Sequence, residues 1–295
     1  MYLLVGGTGL VGGKVAERLR RADLPVRALV RSQTPSGRLE ALNVQVVRGD
    51  LRDPASLVPA LDGVATVVTT ANAMARNLAG DGSVSIHDTD EVGNANLIDA
   101  AARAGVERFI FVSMDRHELE VDTPFTRAKR ATEARLAATP MRSVVVRPEA
   151  FQEVWLSPVA GVDLAHGTVR IFGQGRTRTA YVAVDDVAAA IVRLATMPDP
   201  PEEAVLAGPD AMSLTEIVDL WADLTHRPVK VSHVPRPMLA IGSALLRPVK
   251  PALSSTMAMA RHADRVEWPA TDETLRTLGV EPRGVRSYVT ALAAG

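Results

Sequence analysis

Three glycines near the start of the chain stand three residues apart and could bind a pyrophosphate. They follow a short apolar run at residues 2–5, and apolar residues at helical spacing come after them. In such a strand–turn–helix unit the glycines permit a tight turn and a close approach of backbone to phosphate, while the amide groups at the helix start face the phosphates. The alternative is a tight turn without a ligand. The predicted dinucleotide site consists of Gly6, Thr8, Gly9, Leu10, Val11 and Gly12.

Arg31 directly follows a second predicted strand, residues 25–30, about 20 residues past the glycines. An acidic residue at this place accepts a hydrogen bond from the 2′-hydroxyl of the adenosine ribose, whereas an arginine suits a 2′-phosphate. Arg31 therefore favours NADP(H) over NAD(H) as the cofactor. The alternative is a solvated surface arginine in a chain with 33 basic residues.

Two further loops, after the third and fourth predicted strands, are predicted to line the same cofactor site. Asp50 and Leu51 follow the third strand, and Thr70, Ala71 and Asn72 follow the fourth. Asp50 is predicted to form a hydrogen bond with adenine or, as an equal alternative, to stabilise the turn before the next helix. Small polar residues after the fourth strand suit close passage of the cofactor, and they suit an ordinary loop equally well.

The elements that must position these residues alternate between strand and helix up to residue 148. A fifth strand, residues 108–113, is almost entirely apolar, as expected where helices cover both faces of a sheet. The pattern predicts an α/β fold, a Rossmann-type doubly wound parallel sheet with right-handed crossovers. Residues 73–87 are predicted to form a flexible loop, because Gly80, Asp81 and Gly82 interrupt them.

The composition changes after residue 148, which predicts two domains. Residues 1–148 are assigned to the NADP-binding domain, and residues 149–295 to a smaller C-terminal α/β lobe that binds substrate. Residues 204–206 could return a strand from this lobe to the main sheet. Within the lobe a strand is predicted over residues 181–184, and a helix over residues 213–224 begins with the spacing of a capping box.

Composition excludes several classes of protein. The net charge of −1 gives no reason to expect nucleic acid or an anionic membrane as a partner. The chain has no cysteine, and its six histidines form no His-Glu-x-x-His, so no metal site is expected. The chain enters its first strand at once, which predicts no signal peptide, and its most apolar later stretch is too short to span a bilayer. A cytoplasmic protein is therefore expected, and an oligomer is not indicated.

Further motifs extend the glycine and Arg31 pattern over residues 1 to 225. They are Asp90-x-x-Gly93-x-x-Asn96, Gly105-Val-x-Arg-Phe-Ile-x-x-Ser113, Val145-Val-Arg-Pro148 and Val184-Asp-Asp-Val-Ala188. With these motifs the chain resembles the extended and atypical short-chain dehydrogenase/reductases, and among them the NmrA-like branch. The motifs are specific for the superfamily and moderately specific for the branch, but they do not identify a substrate.

The resemblance implies a catalytic tyrosine four residues before a lysine, and this chain departs from that pattern. Lys129 stands at the lysine position, but the tyrosine position holds Phe125, and no Tyr-x-x-x-Lys occurs anywhere in the chain. In the family the tyrosine transfers the substrate proton, and the lysine holds the nicotinamide ribose. Ser113 stands at the family's serine position. The usual proton route is therefore absent.

Three interpretations of the tyrosine-less site are open. Lys129 could act as the acid, since a desolvated lysine shifts toward neutral pH, as is thought for the isoflavone-type and benzylic-ether reductases that this branch resembles. Water or the cofactor ribose could relay the proton instead. The site could also be inactive, with the protein sensing NADP(H) as some NmrA-like members do. A solvated Lys129 on a polar helix face is the structural alternative.

The first hypothesis is an NADPH-dependent reductase of a small hydrophobic carbonyl or quinone-like compound. Lys129 and Ser113 are the catalytic candidates. The aromatic residues favour this enzyme, whereas the missing tyrosine favours the second hypothesis, a catalytically silent NADP(H)-sensing regulator. An isomerase or dehydratase of the extended family is third, and the missing tyrosine counts against it. The substrate-binding candidates are Phe125, Phe151, Trp155 and His87, although a surface position is the simpler interpretation of the histidine.

Overall fold

The computed structural model describes residues 1–78, 84–267 and 271–294. The strands are β1 (Tyr2–Val5), β2 (Val26–Val30), β3 (Gln45–Arg48), β4 (Thr66–Thr69), β5 (Arg108–Val112), β6 (Arg142–Pro148), β7 (Val162–Asp163), β8 (Thr168–Phe172), β9 (Glu203–Leu206) and β10 (Lys230–Val234). The α-helices are α1 (Leu10–Arg21), α2 (Gly37–Ala41), α3 (Pro54–Leu61), α4 (Met74–Leu78), α5 (Asn94–Arg103), α6 (Arg116–Leu119), α7 (Pro124–Ala137), α8 (Gln152–Trp155), α9 (Val184–Thr196), α10 (Leu214–Thr225), α11 (Arg236–Leu246), α12 (Pro251–Ala263), α13 (Glu273–Thr277) and α14 (Val285–Ala294). A π-helix spans His87–Gly93, and a 3-10 helix spans Pro158–Ala160.

The chain forms two compact units, and each is built from separate segments. The first unit comprises Met1–Met114, Pro124–Arg147 and Val187–Ala204. The second unit comprises Asp115–Thr123, Pro148–Asp186 and Val205–Gly295. The predicted division after residue 148 is therefore one of several transitions between the units. Residues 187–204 belong to the first unit, where the guanidinium of Arg108 on β5 donates hydrogen bonds to two carbonyl groups in α9.

The first unit contains a seven-stranded sheet with the order β3-β2-β1-β4-β5-β6-β9. Strands β1 to β6 pair in parallel, which confirms the predicted doubly wound sheet. The expected return of residues 204–206 is also confirmed, because Glu203–Leu206 forms β9 beside β6. The strand order reverses between β1 and β4. This reversal creates a switch point, where the carboxyl ends of parallel strands leave a crevice for ligands.

Apolar side chains cover both faces of the sheet at β5. On β5, Phe109, Ile110 and Phe111 are all fully buried, so side chains that point to opposite faces are covered alike. One face packs against α3 and α5, with Leu57 and Leu97 in the same core cluster as Phe109. The nearly continuous apolar run at 108–113 is explained by burial on both faces.

The second unit has a three-stranded sheet with the order β10-β8-β7. Its core combines Val169 and Ile171 of β8 with Trp221 of α10. The predicted helix at 213–224 is confirmed as α10, and its first turn forms the expected capping box. The predicted strand at 181–184 is wrong. Val182 makes only an isolated bridge to Phe151, because α9 already begins at residue 184.

The segment predicted as a loop, residues 73–87, is more ordered than expected where the structure describes it. Residues 74–78 form α4, and His87 begins the π-helix. The side-chain amide of Asn77 donates hydrogen bonds to the carbonyl groups of Ala73 and Val84, which ties the two ends of the segment together. Gly80, Asp81 and Gly82 lie outside the described residues.

Two kinds of feature are absent from the described ranges. No helix there has the length and apolar character needed to cross a membrane. No group of three or more histidine, aspartate and glutamate side chains in those ranges could hold a metal ion.

Candidate cofactor site and buried lysine site

The glycine turn after β1 and the loop after β4 meet at the switch point. Gly6 has a φ of +87°, and a Cβ there would lie 2.6 Å from Thr70 Oγ1 and 2.9 Å from the amide nitrogen of Ala71. A Cβ on Gly12 would lie only 2.3 Å from the carbonyl oxygen of Gly6. Only residues without a side chain fit at these two positions. Asn72 is half-buried in the same loop.

The start of α1 is open to a ligand. Gly9 is the N-cap residue and offers no side chain to the first turn, whose amide groups are left for another partner. Leu10 is 53% exposed, and Thr8 and Gly9 are exposed as well. A short turn of bare backbone before an uncapped helix start fits a pyrophosphate group. The fold brings the predicted glycine-loop residues together, and their contact with a cofactor remains a prediction.

Two arginines that the sequence interpretation missed, Arg38 on α2 and Arg48 at the end of β3, add positive charge near the loop that follows β2. Arg31 follows β2 directly, and Arg48 Nη1 donates hydrogen bonds to the carbonyl groups of Arg31 and Thr34, at 3.1 and 2.8 Å. Arg38 extends over the start of α1, with Nη1 3.7 Å from the position of a Cβ on Gly13. Their signal in the sequence is the density of arginines after β2. This loop offers fixed positive charge of the kind a 2′-phosphate needs.

Asp50 is engaged in a turn beyond β3. Its Oδ1 accepts hydrogen bonds from the amide and Nε of Arg52, at 2.9 and 3.0 Å, and Oδ2 accepts one from Nη2 at 2.7 Å. The side-chain hydrogen bond from Arg52 holds the pKa of Asp50 below its usual value. Leu51 is buried in the core, and its carbonyl accepts a hydrogen bond from Asn96. The structure thus supports the turn interpretation, while the adenine contact remains a prediction.

Lys129 lies inside the first unit, between two aromatic rings. It is 3% exposed, and its Nζ donates a 2.9 Å hydrogen bond to the carbonyl of Val112 at the end of β5. Nζ also lies 4.7 Å from the ring centre of Phe111 and 5.3 Å from that of Phe125. The prediction that Phe125 and Lys129 share a helix face is consistent with this geometry. The alternative of a solvated lysine is wrong.

Asp90 is the carboxyl group that interacts with this lysine electrostatically. Burial lowers the pKa of Lys129, whereas the negative charges of Asp90 and Glu133 raise it. Burial raises the pKa of Asp90 to about 6, against the lowering effects of Lys129 and of the Ala73 amide. Asp90 Oδ2 accepts a 2.9 Å hydrogen bond from that amide, while Oδ1 has no hydrogen-bond partner among the described residues. The two groups therefore titrate as a pair, closer to neutral pH than isolated side chains would.

Ser113 belongs to a second buried network. Its hydroxyl donates a hydrogen bond to Glu133, which also receives two hydrogen bonds from the guanidinium of Arg147, at 2.9 and 2.7 Å. Arg147 Nε donates to Glu203 at 2.7 Å, and Nη1 donates to the carbonyl of Met114 at 3.0 Å. The network joins the ends of β5 and β6 to β9 and α7. It orients the Ser113 side chain.

Sequence interpretation assigned no role to Asp90 or Arg147, although both stand in recognised motifs. Arg147 is a charged residue at the end of the apolar strand β6, where a long charged side chain requires buried partners. Asp90 is fully buried in the π-helix, close to the apolar residues of α5. In each case a charged residue within an apolar pattern was the sequence signal that could have indicated a buried charge. Their partners were not readable, because Glu203 and Lys129 are far away in the sequence.

The four substrate-binding candidates fall in different parts of the molecule. Phe125 belongs to the first unit, whereas Phe151 and Trp155 begin and end the α8 segment of the second unit. Trp155 lines a cavity within that second unit. His87 is exposed, and its Nδ1 lies 3.0 Å from Glu91 Oε2. A substrate contact for each of the four remains a prediction.

The fold and the glycine site define a nucleotide-binding protein of the doubly wound class. A family model described as NAD(P)H-binding matches residues 6–198, well over half of the chain. The chain belongs to this family, in the NmrA-like branch of the atypical short-chain dehydrogenase/reductases. The resemblance stated from the sequence motifs is thereby confirmed.

Similar proteins have different described roles. The photosystem II assembly factor Ycf39 of Synechocystis is 28% identical over 238 residues, covering 80% of this chain and 71% of the relative. An NAD(P)H azoreductase of Xenophilus azovorans is 28% identical over 231 residues, covering 78% of this chain and 76% of the relative. The NADPH-dependent quinone oxidoreductase QOR2 of Escherichia coli, solved with NADPH, shares the fold. It has a TM-score of 0.75 at 22% identity, with 99% of each chain covered.

Proposed function

We propose that the protein is an NADPH-dependent reductase of a small hydrophobic carbonyl or quinone-like compound. The observation that carries the proposal is the buried Lys129, whose pKa is lowered by burial. It lies 5.3 Å from the ring of Phe125, the residue at the family's tyrosine position. A reductase without that tyrosine needs another proton donor, and this lysine has the altered acidity that the role requires. The azoreductase relative supports reduction as the reaction class.

The cofactor would be held by the groups that the switch point brings together. The amide groups at the start of α1 would receive the pyrophosphate, and Arg31 would receive the 2′-phosphate, with Arg38 near the start of α1 as a further positive charge. Thr70, Ala71 and Asn72 would line the middle of the cofactor. When bound, a nicotinamide cofactor supplies a hydride to the substrate.

The side chains of this protein would supply the proton and the position of the substrate oxygen. Lys129 would donate from Nζ, and the charge of Asp90 would keep the ammonium protonated until the transfer. Val112 accepts a hydrogen bond from the same nitrogen and so fixes its position. Ser113, oriented by Glu133, is the candidate for a hydrogen bond with the substrate oxygen.

Arg31→Asp should weaken NADP(H) binding by about 1.5–3 kcal/mol, the contribution of a hydrogen bond to a charged group. The expected cause is the loss of a guanidinium from the 2′-phosphate and its replacement by a carboxylate that repels it. Calorimetric titration with NADPH and NADH measures both affinities. Arg286→Asp makes the same charge change at an exposed position of the second unit and serves as the control. Equal affinity of the wild-type protein for both cofactors would contradict the preference.

Phe125→Tyr tests the proposed reaction, because it restores the family's tyrosine and lysine pair in place. The centre of the Phe125 ring is 5.3 Å from Lys129 Nζ, so the added hydroxyl would belong to the same buried site as the lysine. We expect wild-type turnover of NADPH with some members of a panel of quinones and ketones, and higher ketone turnover by the variant. Oxidation of NADPH, followed by its absorbance, is the measurement. No turnover by either protein, despite NADPH binding, would exclude the reductase.

A catalytically silent NADP(H)-sensing regulator is the second candidate function. The observation that favours it is that Lys129 and Ser113 are both buried and both hydrogen-bonded within the chain. Such groups stabilise the ends of β5 and α7 without any reaction. NADPH binding without turnover in the panel would support this candidate. A cytoplasmic location and small-molecule partners are part of the reductase proposal.

A further inference from the structure

A cavity of about 110 Å³ lies inside the second unit, and every residue that lines it belongs to that unit. Its walls come from α6, α8, β8, α12 and the chain around residue 181. Because exposed Arg170 is part of the wall, the cavity reaches the surface. The aromatic and large apolar residues of the wall are Trp155, Phe172, Tyr181, Leu214 and Met259.

The size and walls of the cavity suit one flat ring. An apolar cavity of about 150 Å³ in another protein binds benzene, so a space of this order accommodates a single six-membered ring. The alternation along β8 places Phe172 and Arg170 toward the cavity, while Val169 and Ile171 face the core. Rings stack on such aromatic walls with additional favourable energy. A fused two-ring compound would have to extend beyond a space of this size.

Tyr181 supplies the first polar group of the cavity. The residue is buried, and its backbone is held so closely that a Cβ on Gly208 would lie 2.0 Å from its carbonyl oxygen. Burial raises the pKa of the Tyr181 hydroxyl, against a lowering hydrogen bond with Thr179, which also lines the cavity. The Tyr181 hydroxyl therefore keeps its proton at neutral pH.

Glu118 supplies the second polar group. It belongs to α6, and its carboxyl makes no hydrogen bond to any residue that the structure describes, although it lines the cavity. Burial, together with the negative charge of Asp115, raises the pKa of Glu118 to about 7. The neighbouring Glu149 is more strongly affected, with a pKa raised to about 9 by burial and by Asp115. A large part of the Glu118 population therefore carries a proton at neutral pH.

We propose that this cavity binds a single aromatic or quinone ring whose oxygen accepts hydrogen bonds from the Tyr181 hydroxyl and the Glu118 carboxyl. A tyrosine and a protonated carboxylic acid in an apolar site form an oxyanion-binding pair in other enzymes. The inference deepens the proposed function, on which it rests for the ligand class, by naming the ring that a substrate carries.

Other charged groups lie around Glu118. Asp115, before α6, raises its pKa, and Glu149, after β6, interacts with it electrostatically. Arg170 on β8 and Asp264 at the end of α12 line the same cavity.

Binding of acetophenone to the full chain, followed by calorimetry without any cofactor, tests the pocket directly. Acetophenone has one ring and one carbonyl oxygen, and it does not titrate in the useful pH range. Tyr181→Phe should weaken binding roughly 2- to 13-fold, the effect of losing one hydrogen bond of about 0.5–1.5 kcal/mol. The control is Tyr288→Phe, which removes a half-buried hydroxyl of the same unit outside the cavity wall and should leave binding unchanged.

The pH dependence separates Glu118 from a merely structural residue. Wild-type affinity for acetophenone should fall as the pH rises through about 7, because the carboxyl then loses the proton that it donates. Glu118→Gln keeps an N–H donor without a titrating proton, so its affinity should stay flat from about pH 6 to 8.5. Glu120→Gln is the control. It changes an exposed residue two positions further along the chain and should follow the wild-type pH profile.

The outcomes distinguish this inference from the proposed function. No binding of acetophenone at millimolar concentration would overturn the inference, and so would binding that neither Tyr181→Phe nor Glu118→Gln alters. Tighter binding of 2-acetonaphthone, which has two fused rings, would also overturn it. If acetophenone binds with the expected variant effects but no quinone or ketone supports NADPH turnover, the ring-binding inference stands and the reductase proposal is excluded. If NADPH turnover occurs and neither Tyr181→Phe nor Glu118→Gln changes it, the reductase proposal stands and the ring-binding inference is excluded.

Discussion

Lys129→Ala is expected to lower kcat of the proposed reduction by about 100- to 10,000-fold, the usual contribution of general acid catalysis. The variant removes the only lysine of α7, whose Nζ is fixed on the carbonyl of Val112 between two rings. It also removes the positive charge that lowers the pKa of Asp90, so this carboxyl should take up a proton at a pH above 6. Steady-state kinetics with NADPH and a responsive quinone measure the effect.

Two comparisons show whether the lysine acts in the chemistry or only holds the cofactor. Lys129→Met fills nearly the same volume without a charge, so it separates the loss of the ammonium from the creation of a cavity. Calorimetric NADPH affinity, measured on both variants, separates anchoring from proton supply. A large fall in kcat with a small fall in affinity is expected. A fall in affinity alone would make Lys129 an anchor, and unchanged values for both would remove it from the site.

Gly12→Ala is expected to abolish detectable NADP(H) binding and to lower the free energy of unfolding by about 1–3 kcal/mol, the range for overpacking. A Cβ on Gly12 would stand 2.3 Å from the carbonyl oxygen of Gly6 and 2.9 Å from Thr70 Oγ1. The first contact is with backbone, which cannot rotate away as a flexible side chain does. Relief therefore requires α1 to move away from the turn that is proposed to bind the pyrophosphate. Calorimetry with NADPH and denaturant unfolding measure the two effects.

The neighbouring glycine provides a matched control. A Cβ on Gly13 would have its nearest contact at 3.6 Å, from the carbonyl oxygen of Gly7, which is ordinary van der Waals contact. Gly13 lies inside α1, where alanine is favoured over glycine by about 1 kcal/mol, so Gly13→Ala should be neutral or stabilising. NADPH binding by Gly12→Ala at wild-type affinity would contradict the assignment of the turn.

The buried network around Arg147 fixes the position of Ser113 at the end of β5. Glu133 on α7 receives two hydrogen bonds from Arg147 and one from Ser113, while Arg147 also reaches Glu203 on β9. Removing one partner of such a buried pair leaves an uncompensated charge. The network thus couples the position of α7, which carries Lys129, to the sheet.

Local patterns in the sequence determined the frame of the first unit. The strand, the glycine turn and α1 are neighbours in the chain, so the spacing of the glycines indicated a tight turn with the helix packed close to the strand. The alternation of strands and helices predicted the parallel sheet, because each crossover connects adjacent elements by a short local path. The departure at Phe125 was visible for the same reason, since Phe125 and Lys129 are one helical turn apart.

Only the tertiary structure decided the chemistry of the side chains. The sequence pattern was compatible with either a solvated or a buried Lys129. Its pKa is lowered by burial, and the charge of Asp90, 39 positions earlier in the chain, acts in the opposite direction. The predicted strand at 181–184 is wrong because α9 begins at residue 184, and Tyr181 lines a cavity together with Glu118. Burial and the proximity of distant residues set both outcomes, and neither is a property of local sequence.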